Sequence, residues 1–186
     1  ERGKNFTQAY NVYLGMSIFI LRTDALDLNK VIWIDPSRNI VADYIKGNPI
    51  PVIEPIQACD GIIQTFETPN GKIGTVICFD GDFPEYVNQI GKKGVDILFI
   101  PVNEWREMVP YHSQLHSFRA LENGVSLFRV GSGGISIGID YHGRVVSYLD
   151  VFNTEERIII ADLPIKGEIT IYAIFGSIFA QINCLF

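Results

Sequence analysis

The sequence is poor in charge. Asp, Glu, Lys and Arg make up 19% of its 186 residues, where about 25% is usual for soluble domains. Lys and Arg number 15 against 21 Asp and Glu, a formal net charge of −6. A chain without a basic excess lacks the electrostatic footprint of nucleic-acid binding, so no nucleic-acid partner is expected. Cysteine is scarce too. Cys59, Cys78 and Cys184 are an odd set, at spacings that match no zinc site and no disulfide framework. Internal repeats, low-complexity linkers and the pattern of a secretory signal are missing from these residues. Position 1 is Glu1 rather than methionine, and a piece of a longer chain is expected.

Apolar residues, by contrast, reach 47% and aromatics 12%, ample for one packed core and contrary to disorder. Asn11–Leu21 is a nearly continuous apolar run and reads as a buried strand. Lys30–Asp35 and Ile40–Ile45 flank the turn residues Pro36-Ser37-Arg38-Asn39, which predicts a β-hairpin. Ile62–Thr68 and Lys72–Ile77 around Pro69-Asn70-Gly71 predict a second hairpin, and Ile135–Ile139 with Arg144–Leu149 a third. Pro49, Pro51 and Pro55 exclude regular helix or central strand between the first two. After Cys78 strands alternate with helices. A helix over Glu85–Lys92 follows Pro84, Val95–Pro101 is a strand, and a second helix runs from His112 to Glu122. That helix carries Leu115, Phe118 and Leu121 on one face, and Asn123-Gly124 stops it. Val125–Val130 and Glu156–Asp162 complete the strands. Strands with inserted helices make an α/β layered domain over residues 1–166.

Residues 167–186 form an apolar C-terminal tail. From Ile169 to Phe186 there is no charged residue. This run is long enough to begin a transmembrane helix, and it equally suits a tail packed on the domain or on a partner.

Cys78 is the first candidate for chemistry. It ends an apolar strand and precedes Phe79-Asp80-Gly81-Asp82-Phe83-Pro84, and a thiol there is fixed by the strand and exposed by the turn. Such a nucleophile needs a base and a stabiliser for the oxyanion. His112 and His116 lie at i, i+4 on one helix, but no H-E-x-x-H pattern and no third ligand accompanies them, so no metal is expected. Lys46 and Glu54 form the stronger constellation, an ammonium at the end of the first hairpin with a carboxylate in the Pro-rich loop.

Tyr44-Ile45-Lys46, Glu54, the block from Gly71 through Gly74 to Cys78 and Asp80, and Phe83-Pro84-Glu85 together resemble the nitrilase, or carbon–nitrogen hydrolase, superfamily. The likeness continues through Pro101, Asn103, Trp105, His112, His116, Arg119-Ala120-Leu121-Glu122, Arg129 and Gly143-Arg144. It implies an α-β-β-α sandwich and a Glu–Lys–Cys triad without cofactor or metal. Within the superfamily the likeness is closer to the nitrilase domain of apolipoprotein N-acyltransferases, through the Asn-Glu-Trp segment, the His-bearing helix and the apolar tail. The resemblance makes Cys78 the nucleophile that forms a thioester. Lys46 and the backbone N–H of Phe79 become the oxyanion stabilisers, and Glu54 a supporting carboxylate. Asn103, Trp105 and Ser132 are candidate substrate contacts. The implied partners are an acyl donor, a phospholipid for an acyltransferase, and an amine or amide. The domain would sit on the periplasmic or extracellular face of a membrane, with homo-oligomers possible.

Two departures from the family bear on this expectation. The base glutamate belongs on a strand upstream of the Asn11–Leu21 strand, and residues 1–10 match the last turns of the intervening helix. The sandwich is therefore expected to be N-terminally truncated and inactive alone. Asp80 stands where acyltransferases usually have Glu and amidases Asp, and Gly131-Ser132-Gly133-Gly134 stands where the family often has Asn. A soluble, cytoplasmic amidase and a non-catalytic binding module remain alternatives.

Overall fold

A computed structural model describes residues 1–165 and 167–184. Its two sheets are set by the runs of apolar and β-branched residues. β1 (Leu14–Ile20), β2 (Leu28–Ile34) and β3 (Ile40–Ile45) form an antiparallel three-stranded meander. The β2–β3 turn is held by the Asp35 carboxylate, which accepts the Asn39 N–H at 2.7 Å. The second sheet has the order β4 (Thr65–Thr68), β5 (Gly71–Thr75), β6 (Ile97–Asn103), β7 (Ser126–Gly133), β8 (Ile135–Ile139), β9 (Val145–Asp150). Its middle is parallel, β5-β6-β7, because α2 (Pro84–Lys92) and α3 (Val109–Asn123) carry the chain back between those strands. The outer pairs are the predicted hairpins.

Period-two alternation sorts the strand residues into two cores. Leu98, Ile100 and Leu127 face α2 and α3, where they meet Val87, Ile90 and Ala120. Val31, Trp33, Tyr44, Phe66 and Ile77 fill the space between the sheets, with Phe99 packed against them. The Trp33 indole donates to the Thr75 hydroxyl at 2.8 Å across that space. α1 (Arg2–Tyr10) lies on the far side of the small sheet, Gly3 sitting over Met16 and Ile34. The four layers are those of an α-β-β-α sandwich.

Four sequence expectations need correction. β1 is shorter than Asn11–Leu21 and half exposed, since only β2 pairs with it among the described residues. Glu156–Asp162 is not a strand. It alternates, with Ile158 and Ile160 exposed and Ile159 turned inward to a cavity, but no ladder holds it. The helix α3 begins three residues earlier than His112, and its apolar face is not its buried face: Phe118 is 57% exposed, while His112, Ser113, His116, Arg119 and Asn123 are buried. Of these, His112 and His116 find hydrogen-bond partners on other elements, whereas Ser113, Arg119 and Asn123 bond within the helix itself.

Thr170 caps α4 (Ile171–Phe175), accepting the Ala173 N–H at 2.9 Å, and Asn88 of α2 donates to the Tyr172 carbonyl at 3.0 Å. Residues 170–175 are thereby docked on α2 and α3, and α5 (Ile178–Asn183) follows after Gly176. No helix of the described residues is long and apolar enough to cross a membrane. Lys166, at the expected boundary, and Leu185 and Phe186, at the end of the tail, lie outside the described residues.

Candidate active site

Cys78 opens a 3-10 turn, Cys78–Asp82, that begins three residues beyond the end of β5. Its φ of 48° is left-handed, a conformation that costs a side-chain-bearing residue about 1 kcal/mol or more and persists only where the surroundings impose it. Two carboxylates in the turn do so. Asp80, fully buried, accepts the Ile77 N–H at 2.9 Å, the Tyr44 hydroxyl at 2.7 Å and the Asn48 N–H at 2.6 Å. This ties the turn to the chain just after β3. Burial still pushes the Asp80 carboxyl upward, against those donors.

That same stretch after β3 carries Lys46. Its side chain is wholly buried and its ammonium meets Glu54 Oε2 at 2.5 Å. Glu54 also accepts the Ile50 N–H at 2.7 Å, so the Pro-rich loop folds back on itself around the ion pair. The sequence thus placed Lys46 and Glu54 together correctly, and the Lys46 charge acts on the Cys78 thiol. The sum is nevertheless opposite to a depressed thiol. Burial pushes Cys78 up, outweighing the pull of Lys46 and of the Asn103 backbone N–H, while Glu104 and Glu54 add to the rise.

Asp82 closes the turn and turns the other way. Its Oδ1 meets His112 Nε2 at 2.8 Å and His116 Nε2 at 3.3 Å. His112 Nδ1 meets the Glu104 carboxylate, which also takes Arg129 Nη2 at 2.5 Å, and Arg129 Nε donates to His116 Nδ1 at 3.3 Å. Arg129 completes its set on the Ile135 carbonyl. Although burial disfavours its charged form, the His112 imidazole is raised by Asp82 and Glu104. His116, which is fully buried, is pushed down to about 4. Burial works to raise Asp82 and Glu104 as well, but the histidines hold Asp82 far below the usual range, and His112 and Arg129 hold Glu104 below it. The fit is close: a Cβ on Gly81 would lie 2.5 Å from His116 Nε2, and one on Gly134 2.7 Å from Glu104 Oε1.

Asp82, His112 and His116 are the third ligand and the pair that sequence reasoning could not join. Their donor atoms lie within 4.8 Å of one another, close enough for a metal ion. Protons already fill that space. With Arg129 donating to Nδ1, His116 carries its proton on Nε2, toward Asp82, and His112 donates from both nitrogens. All of these ring nitrogens are committed, so neither histidine forms a dyad with Cys78.

A cavity of about 730 Å³ opens beside the thiol. Cys78, Glu54, Asn103 and Ser132 line it, together with Phe19, Ile77, Phe99, Val130, Leu149 and Ile159. Trp105 does not. It stands 51% exposed on the loop after β6, because the chain turns outward after Glu104. Phe79 is next to Cys78 in the turn, its ring edge-on to Phe83 at 5.0 Å. Cys59 sits by the Tyr86 hydroxyl and Cys184 is exposed, both apart from the cavity lining.

The profile of the "Carbon-nitrogen hydrolase" family matches residues 3–170. The chain belongs to this family. As a carbon–nitrogen hydrolase it is 34% identical, over 140 residues, to an apolipoprotein N-acyltransferase of Rickettsia bellii, covering 73% of this chain and 25% of the relative. A Geobacter metallireducens protein of the same name is 31% identical over 122 residues, 63% of this chain and 23% of the relative. The chain thus spans about a quarter of these relatives' length. A formamidase of Bacillus thuringiensis is 37% identical over 71 residues, 38% of this chain and 21% of the relative. In fold, the carbon–nitrogen hydrolase superposes on an amidase from Nesterenkonia sp. with a TM-score of 0.80 at 18% identity, covering 98% of this chain and 71% of that one.

Proposed function

We propose that this carbon–nitrogen hydrolase performs acyl transfer through a thioester on Cys78, as the catalytic domain of an N-acyltransferase acting at a membrane surface. The observation that carries the reading is the buried Lys46–Glu54 pair acting on a thiol that opens onto a cavity walled by Phe19, Phe99, Val130, Leu149 and Ile159. An apolar wall of that extent suits an acyl chain better than a small amide. The acyltransferase names of the relatives support the same choice.

In this reading Cys78 loses its proton to a base, and its sulfur attacks the ester carbonyl of a phospholipid donor. Lys46 and the Phe79 N–H stabilise the oxyanion. The donor's alkoxide leaves with a proton, and a thioester remains. An amine then attacks that thioester, gives up a proton and frees the thiol. Glu54 orients Lys46, and Asn103 and Ser132, which line the cavity, meet substrate. Because burial holds Cys78 as the thiol, the base is indispensable. The carboxylates that act on Cys78 are already engaged, Glu54 by Lys46 and Ile50 and Glu104 by His112 and Arg129. The base that the resemblance to the family implies is a glutamate on a strand upstream of these residues.

The test incubates the 186-residue chain, and a longer one extended upstream, with a phospholipid carrying a labelled acyl chain and an amine acceptor. Mass spectrometry then looks for acylated Cys78. The short chain should acylate about 10²- to 10⁴-fold more slowly, the usual worth of general base help. Equal rates would place the base within residues 1–186. A second reading, an amidase, is favoured by Asp80 and by the formamidase likeness. Ammonia release from small amides without lipid acylation would select it.

A further inference from the structure

The segments on either side of the cavity mouth share one contact that the reading above leaves unused. Asp82 belongs to the turn that Cys78 opens, and Glu104 follows Asn103, whose backbone N–H favours the Cys78 thiolate and which lines the cavity beside Cys78. These two carboxylates come from different connections, one after β5 and one after β6, and they approach opposite edges of one ring, that of His112. A carboxylate on each nitrogen demands an N–H on each nitrogen, so the geometry alone makes His112 an imidazolium.

We infer that His112 is a positioning residue for the nucleophile, an imidazolium clamp that joins the Cys78 turn, through Asp82, to the Asn103 loop, through Glu104, and thereby sets the ionisation of the thiol. The charge count supports it. Without the imidazolium, Asp82 loses its charged partner and Glu104 keeps only Arg129, and Glu104 already acts on Cys78 to disfavour the thiolate. The groups around the ring are Asp82 from the turn, Glu104 from the loop after β6, and His116 one helical turn on, 4.1 Å between ring centroids, with Arg129 of β7 behind. His116 cannot take over the role, since its Nδ1 accepts from Arg129 and it donates only to Asp82. The clamp's neighbours have little slack: a Cβ on Gly81 would meet the His116 ring, and one on Gly134 the Glu104 side chain.

The inference rests on Cys78 being the nucleophile, but its test reads thiol ionisation and not turnover. Failure of acyl transfer would leave it standing. The full 186-residue chain and its His112→Gln variant are alkylated with iodoacetamide across pH. Peptide mapping follows Cys78, with Cys184 as the internal reference and His142→Gln, on the exposed β8–β9 turn, as the control. His112→Gln should move the Cys78 midpoint upward, slowing its alkylation near neutral pH about tenfold relative to Cys184. A midpoint that stays or falls overturns the clamp. If His112→Gln does not fold, the unaltered chain decides. Nitrogen-15 NMR of its 3 histidines should show both His112 nitrogens protonated at pH 7, and a neutral His112 there refutes the inference.

Discussion

The two flanks of Cys78 are both built from buried ions, but they differ in depth and in number. On the β3 side, Lys46 meets a single carboxylate, and that partner, Glu54, keeps 21% of its side chain in water. On the α3 side, Asp82, His112, Glu104, Arg129 and His116 share one network, and Arg129, His116 and Glu104 are almost wholly out of solvent. A two-member pair can be relieved by turning one partner outward. A five-member network cannot, because each ion satisfies two or more others. The β3 flank is suited to giving and taking charge at the thiol, and the α3 flank to holding the frame rigid.

The sharpest way to break that contrast is Arg129→Met. It takes one of the two cations from Glu104 and the donor from His116 Nδ1, and removal of one member of a buried ionic set costs about 3–5 kcal/mol. Urea unfolding should show a loss of that order. A loss near zero would mean the α3 flank is as forgiving as the β3 flank.

Acid should separate the flanks next. His116 is neutral when folded, with its pKa pushed down from 6.5 to about 4 by burial. Between those values the unfolded chain binds a proton that the folded chain refuses, so stability falls as pH drops from about 6.5 to about 4, by ~3 kcal/mol. Asp82 and Glu104, held low, lose their contribution at still lower pH. His112 has the opposite sign: its raised pKa stabilises the fold below about 6.5, and that share fades as pH rises through the folded value. His116→Gln should flatten the acid slope while leaving the alkaline one. A slope unchanged in His116→Gln would assign the acid loss elsewhere.

The smallest effect is expected at Lys46→Met. Glu54 can rotate toward water once its partner is gone, so the cost is about 1–2 kcal/mol, below that of Arg129→Met. Its reactivity signature should still be clear, since loss of the ammonium raises the Cys78 thiol further and slows alkylation at neutral pH. If Lys46→Met destabilises as much as Arg129→Met, the pair is not the looser of the two.

The β3 flank was legible in the sequence and the α3 flank was not. The hairpins could be read because their apolar runs bracket turn-forming residues such as Asn39 and Gly71. Lys46, Glu54 and Cys78 followed from a resemblance of spacing. For α3, apolar periodicity pointed to the wrong face: Leu115, Phe118 and Leu121 suggest a core side, yet the buried side is polar. The clue was present in His112, His116, Arg119 and Asn123, which share one stripe at helical spacing. A polar stripe reads as solvent-facing until its partners are known, and those of His112 and His116 come from residues 82, 104 and 129, each in a different connection or strand. The raised thiol was not legible for a related reason. The nearby ammonium was readable along the chain, whereas burial belongs to the assembled cavity.

The sequence has 2 tryptophans, and the fold has put them in contrasting optical environments. Trp33 is 7% exposed between the sheets, with ring centroids 5.2 Å from Phe66 and 5.1 Å from Phe99, whereas Trp105 is 51% exposed on the loop after Glu104. One should emit in the blue and the other in the red. In a Trp105→Phe chain, a red shift of the remaining emission would report the sheets parting. In a Trp33→Phe chain, quenching of Trp105 by a soluble iodide would report the loop beside the thiol. The two indoles thus offer separate windows on the sandwich and on the cavity mouth, recorded without an added dye.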